Sequence, residues 1–169
     1  MSTVPEQHRA QAPRLVRCVV ITVSDTRTME TDTAGQTMVQ LLSEQGHQVV
    51  QHHIIRDEPG PMRELLQALR EQPDVDVILM TGGTGLGSRD QTFETVNSLL
   101  TKALPGYGEL FRWLSFAEIG PAAMLSRATG GLLGQKVLLT MPGSQAGVQL
   151  AMEKLILPEL GHLVREARR

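Results

Sequence analysis

The chain has one cysteine in 169 residues, five aromatic residues, and no excess of charge of either sign. Each shortage removes a class of protein. The lone Cys18 rules out an internal disulfide, and its place in the apolar run RCVVITV makes it a core residue rather than a nucleophile. Lys and Arg number 16 against 18 Asp and Glu, with no basic stripe. The electrostatic footprint of a nucleic-acid binder or of a protein docking on anionic membranes is therefore missing. No run of about 18 apolar residues offers a membrane span, and the polar start MSTVPEQHRAQAPR holds no apolar signal region. These absences lead us to expect a cytoplasmic protein with a flexible N-terminal arm over residues 1–14. Its partner should be a small molecule or another copy of the chain.

What the chain does have is an alternation of strand and helix signals. Its length and aliphatic content suit one globular domain with a sizeable core. Residues 15–23, LVRCVVITV, are β-branched and almost wholly apolar, as in a strand covered on both faces. Asp32 or Thr33 can cap a following helix that carries Met38, Leu41 and Leu42 at helical spacing and stops near Gly46. Strands are expected again at 48–55, 75–80 and 136–141. Met62, Leu65, Leu66 and Leu69 form one apolar helical face between the first two of these. Further helices are expected at 91–100, 108–116, 121–127 and from Gln145 onward, with Pro158 kinking or splitting the last. Such an order implies an α/β fold: a mostly parallel sheet between two helix layers, in one domain.

Chemistry should gather where strands hand over to helices, because open parallel sheets bind ligands beyond the carboxyl ends of their strands. The segment TGGTGLGSRDQTFE is such a handover, with four glycines from Gly82 to Gly87 and then Arg89 and Asp90 before a helix. Glycines there let backbone N–H groups approach a phosphate, so Thr81, Gly82, Gly83, Thr84 and Gly85 are candidate substrate contacts. The segment satisfies neither the dinucleotide fingerprint nor the P-loop pattern. A plain glycine-rich turn with Asp90 as helix cap stays open on these residues alone. TMPGSQAG places Pro142, Gly143 and Ser144 in a second loop of this kind, where Ser144 also suits a helix cap. Ser126 offers a hydroxyl, and Arg89 and Arg127 are candidates for phosphate. His52 and His53 are adjacent in a strand and point to opposite faces, so they do not share a metal. The stretch from Leu104 to Gly131 holds four of the five aromatic residues, which suits core or subunit contacts.

Four segments in order, ITVSDTRTMETDTAGQ, TGGTGLGSRDQTFE, LPGYGELFRWLSFAEIGPAAMLSRATGG and MPGSQAGVQLAMEKLILPEL, resemble the successive motifs of the MoaB/MogA family of molybdenum cofactor biosynthesis. The likeness runs from about Leu15 to Val164, and GELFRWLSFAEIG is worded more like MoaB. It implies a molybdopterin-binding domain folded as a three-layer α/β/α sandwich and assembled as a trimer or hexamer. Active members adenylylate molybdopterin with ATP and Mg²⁺. The family's two functional aspartates fall on Asp57, in IIRDEP, and Asp90, in GSRD, which makes them the implied catalytic and Mg²⁺-binding residues. Some MoaB-type proteins depart from the pattern at the first of these positions; this chain keeps both. A non-catalytic molybdopterin carrier is the alternative. A flavodoxin-like nucleotide or flavin binder ranks below both, because the phosphate fingerprints are absent.

Overall fold

Six consecutive residues of β1 (Arg17–Val23), from Cys18 on, are buried, the state of a central strand covered on both faces. The computed structural model describes residues 12–169; residues 1–11 of the expected arm lie outside the described residues. In it β1 pairs in parallel with β2 (Gln48–Ile55) on one side and β3 (Val77–Thr81) on the other. β3 in turn pairs in parallel with β6 (Lys136–Met141). These four are the strands expected from the apolar runs.

Two further strands, β4 (Lys102–Ala103) and β5 (Gly130–Leu133), extend the sheet antiparallel at the β6 edge, giving the order β2-β1-β3-β6-β5-β4. Sequence reasoning passes over them for a physical reason. β4 is two residues long and β5 opens on two glycines, the residue type least suited to strands.

Helices cover both faces. Cys18 and Val20 of β1, with Val77 and Leu79 of β3, pack with α1 (Thr33–Glu44), α4 (Pro105–Ile119), α5 (Gln145–Ala151) and α6 (Leu157–Ala167). Val19, Ile21 and Ile78 point the other way and pack with α2 (Pro59–Arg70) and α3 (Thr92–Leu99). The period-2 alternation of a strand thus feeds two separate cores in one domain. The result is a three-layer α/β/α sandwich with a mostly parallel sheet.

The helical region expected at 121–127 is a 3-10 turn, Gly120–Leu125, following directly on α4. Between α5 and α6 the chain makes a π-helical turn, Met152–Ile156. Pro158, which has no N–H to continue the α ladder, stands just beyond that interruption.

At the amino edge of the sheet, Asp76 collects Arg17 and the last turns of the chain. Its carboxylate accepts from Arg17 N at 2.8 Å, Arg17 Nη2 at 2.8 Å and Arg168 Nη2 at 2.6 Å. Lys136 Nζ donates to Val75 O alongside, at 2.9 Å. Burial pushes the Asp76 carboxyl up, but the two bonds from Arg17 and the charges of Arg168 and Arg17 outweigh it and hold it below the ordinary range. No helix among the described residues is long and apolar enough to cross a membrane.

Candidate functional site

β1 has neighbours on both sides that continue in opposite directions, so the strand order turns outward between β1 and β3. That is the switch point at which parallel sheets open a crevice beyond their carboxyl ends. A cleft of about 550 Å³ lies there. Its walls are the end of β1, the glycine loop from Thr81 to Gly85 with Asp90, the Pro142–Gly143–Ser144 turn, the start of α1, and the α4 end with Ser126. Nine of the ten candidate substrate contacts line it, and Arg127 does not.

Gly82 and Gly83 hold φ angles of 98° and 65°, a region that penalises any side chain. The space beside them is taken by protein rather than left for a ligand. A Cβ on Gly82 would strike Val23 O, and one on Gly83 would meet Thr92 Oγ1 and, at 2.5 Å, Asp57 Oδ2. These two glycines are thus demanded by the packing of the loop, a different reason from the ligand approach the sequence suggests. The turn is tied down further by Gly82 N donating to Met141 O at 3.1 Å and Thr81 Oγ1 donating to Pro142 O at 2.7 Å. Thr84 is buried, Gly143 packs against Gly82, and Ser144 caps α5 by accepting from Gly147 N at 3.2 Å.

Asp90 closes the glycine loop. Its Oδ2 accepts from Gly87 N at 2.7 Å while its own N–H donates to Gly87 O at 3.0 Å. The residue at the helix-cap position of α3 is Gln91, whose side chain makes no capping bond. The carboxylate serving the start of α3 comes instead from Asp57, whose Oδ1 accepts from Gln91 N at 3.0 Å. A negative group there also complements the helix dipole.

Asp57 is 7% exposed, donates its N–H to Asp25 Oδ1 at 3.3 Å, and forms no ion pair among the described residues. Burial pushes its carboxyl above the ordinary range. The Gln91 N–H and the charge of Arg89 oppose this, and the nearby charges of Asp90 and Asp25 add to it. Asp25 is held low by its 2.8 Å bond from Arg89, the guanidinium at this edge. Three acids therefore gather at one edge, and the buried one carries the strain.

Arg127 braces the loop instead of facing the cleft. Nε donates to Gly85 O at 2.8 Å, Nη2 to Asp90 O at 3.1 Å, and Nη1 pairs with Glu94. The guanidinium also stacks 5.1 Å over the Phe93 ring. All three nitrogens are engaged, so Arg127 ties Gly85, Asp90 and Glu94 together and does not line the cleft.

A buried polar cluster on the cleft floor escapes motif reading. Asp32 Oδ2 accepts from Thr22 Oγ1 at 2.6 Å and meets His52 Nε2 at 3.1 Å, while Oδ1 caps α1 through Gly35 N at 2.9 Å. The sequence reading reaches Asp32 only as a cap. The available signal was strand parity: His52 pairs with Val20, so it shares a face with Thr22.

The aromatic stretch divides. Tyr107 and Phe111 are core, with Tyr107 Oη donating to Thr140 O at 3.0 Å, while Trp113, Phe116, Ile119 and Met124 stay more than half exposed beside the cleft. Cys18 is core as expected, its thiol pushed up to about 12 by burial.

Among the described residues no group of three or more His, Cys, Asp or Glu can hold a metal. The edge acids suit a looser arrangement. Asp57 Oδ2 accepts no hydrogen bond among the described residues, and the neighbouring Thr92 hydroxyl is buried and unpartnered. Mg²⁺ is commonly held by one or two carboxylates and completed by water and substrate phosphates, so Asp57 and Asp90 fit it.

Comparison with known proteins agrees with this geometry. The family profile described as "Probable molybdopterin binding domain" matches residues 19–162. Molybdenum cofactor biosynthesis protein B of Bacillus cereus is 51% identical over 96% of this chain and 97% of its own length. The crystal structure of a molybdenum cofactor biosynthesis protein B, 52% identical, superposes with a TM-score of 0.90 over 94% of this chain and 99% of that one. The tungsten cofactor synthesizing protein MoaB from Pyrococcus furiosus, 34% identical, gives 0.82 over 94% and 100%. With most of its length matched at half identity, and with the cleft at the sheet's switch point, the chain belongs to the MoaB/MogA family of molybdenum cofactor biosynthesis proteins.

Proposed function

We propose that the protein binds molybdopterin in the cleft beyond β1 and β3 and adenylylates it with ATP. Asp57 and Asp90 would hold Mg²⁺ at its edge. The observation that carries the reading is the buried Asp57, whose carboxyl is pushed up, close to Asp90, which lines the cleft while Asp57 lies just behind the lining, since a perturbed acid next to a cleft is a mark of chemistry. Mg²⁺, when bound, supplies positive charge against the triphosphate and its leaving pyrophosphate.

The chain's own groups do the rest. The braced glycine loop and the N-termini of α1 and α5 face the cleft and suit anionic phosphates. Held there, the molybdopterin phosphate oxygen attacks the α-phosphorus of ATP. A P–O bond to the adenylyl group forms as the bond to pyrophosphate breaks. Positioning and fixed electrostatics supply most of the rate in such transfers.

The alternative, a molybdopterin carrier without turnover, is favoured by one feature: Asp57 is 7% exposed and sits behind Gly83. Incubation of the protein with molybdopterin, ATP and Mg²⁺ separates the two. Formation of adenylylated molybdopterin supports the enzyme, and tight binding without product supports the carrier.

We propose further that the protein is a trimer or hexamer closed through the outer face of α4. Trp113, Phe116 and Ile119 are 71%, 59% and 60% exposed, a denser apolar patch than a monomer usually leaves to water. Light scattering should give three or six copies, and a monomer at micromolar concentration would overturn this.

A further inference from the structure

We infer that Thr92 Oγ1 joins Asp57 Oδ2 as part of the protein's share of the Mg²⁺ site, an inference that rests on the reading of Asp57 and Asp90 as metal-holding residues. Hydroxyls on helices of this chain ordinarily bond a carbonyl of the preceding turn, as Thr37 does to Thr33 O at 2.8 Å and Ser43 to Val39 O at 2.9 Å. Thr92 opens α3, is fully buried, and its hydroxyl has no partner among the described residues. A buried hydroxyl left unpaired is costly and asks for a ligand.

Its neighbour is in the same condition. Asp57 uses Oδ1 for Gln91 N and leaves Oδ2 without a donor among the described residues. Both open oxygens crowd the position that a Cβ on Gly83 would occupy, so the lack of a side chain at this glycine is what lets the two approach the same point. The backbone fixes them there, through Thr92 N donating to Gly83 O at 3.1 Å and Gln91 N to Asp57 at 3.0 Å. A carboxylate oxygen and a neutral hydroxyl oxygen on a rigid loop beside a phosphate-facing turn form a donor set suited to a hard cation. Threonine and serine hydroxyls serve Mg²⁺ in other phosphate-handling loops.

The test is Mn²⁺ binding to the full chain, followed by electron paramagnetic resonance of the free ion, alongside melting temperatures without metal. Thr92→Val should weaken Mn²⁺ roughly 10-fold while leaving the metal-free melting temperature equal or higher, since an unpaired hydroxyl is exchanged for a methyl of the same shape. Thr92→Ser should stay near the parent. Thr95→Val, which removes the other unpartnered buried hydroxyl of α3, should bind as the parent does. If Thr92→Val loses its fold, Thr92→Ala removes the hydroxyl without a branched side chain. Parent-like binding by the Thr92 variants, with Asp57→Asn weakened, overturns the inference and leaves the reading of the acids standing. Unchanged binding in Asp57→Asn, or no binding by the parent, overturns both.

Discussion

Asp57 and Asp76 are almost equally buried, 7% and 6% exposed, and lie at opposite ends of the parallel strands of one sheet. At the amino edge, Asp76 is surrounded by Arg17, Arg168 and a backbone N–H, and its carboxyl is held low. At the carboxyl edge, Asp57 has backbone N–H support and two other acids as neighbours, and its carboxyl is pushed up. Burial acts on both in the same sense, so the difference comes from what the fold brings alongside. A neutralised acid ties elements together. One whose support falls short of its burial is tolerated only where the surrounding structure holds it for another use.

The largest expected effect separates the two by activity. Asp57→Asn keeps the volume and the acceptor for Gln91 N but removes the charge, so adenylylation should fall by roughly 10²-fold or more while the melting temperature holds or rises. Asp90→Asn should behave alike, since its amide oxygen can still accept from Gly87 N. Turnover measured beside thermal melts checks both, and parent-like rates in the two variants would remove the catalytic assignment.

Next in size is the mirror change. Asp76→Ala leaves Arg17 N and two guanidinium groups without their acceptor. The site is partly open to water, since Arg17 and Arg168 are 34% and 48% exposed. We expect a loss of about 2–3 kcal/mol, seen as a melting temperature lower by several degrees, with kcat of the folded protein unchanged. A loss of turnover with stability intact would break the contrast.

Gly83→Ala should sit between the two ends in character. The residue must leave its left-handed φ or push Asp57 and Thr92 apart, at a cost of about 1–3 kcal/mol. Because the neighbours are protein atoms, stability should fall whether or not molybdopterin is present. A variant that melts like the parent and loses only ligand affinity would return this glycine to the ligand-approach role.

The smallest effect is on the pH dependence of stability, and it has opposite signs at the two sites. Asp76 has a lowered folded pKa, so its contribution is complete above its unfolded value, about 3.9, and is lost as the pH falls through the folded one. Asp57 has a raised folded pKa, so its contribution is greatest when protonated and is lost as pH rises from the unfolded value through the folded one. Denaturant titrations across pH 3 to 7 should therefore show Asp76→Asn blunting the acid-side loss of stability. Asp57→Asn should blunt a decline on the less acidic side. The same slope in both variants would contradict the assigned directions.

Much of this arrangement is legible in the sequence. The apolar runs at 17–23, 48–55, 77–81 and 136–141 are strands because a short, nearly continuous apolar run suits a strand covered on both faces, and burial along them is continuous or nearly so. Met62, Leu66 and Leu69 face the core because helical spacing gives them no other choice. The glycine loop and Asp57 stand at strand-to-helix handovers, and parallel topology gathers all such handovers at one edge. These are properties of short segments and of connection handedness, which the order of residues carries by itself.

What the chain order could not carry is which atoms meet across that edge. Arg127 reads as a phosphate candidate, and only the tertiary structure shows it outside the cleft lining and bonded to Gly85 O, Asp90 O and Glu94, up to 42 residues away. Gly83 reads as clearance for a ligand until Asp57, on another loop, is found beside it. Asp32, Thr22 and His52 form one cluster only because β1, β2 and α1 converge there. Whether a polar group is satisfied, strained or free depends on the full set of donors, acceptors and charges around it. In a buried site those come mostly from residues distant in sequence, so tertiary packing alone decides it.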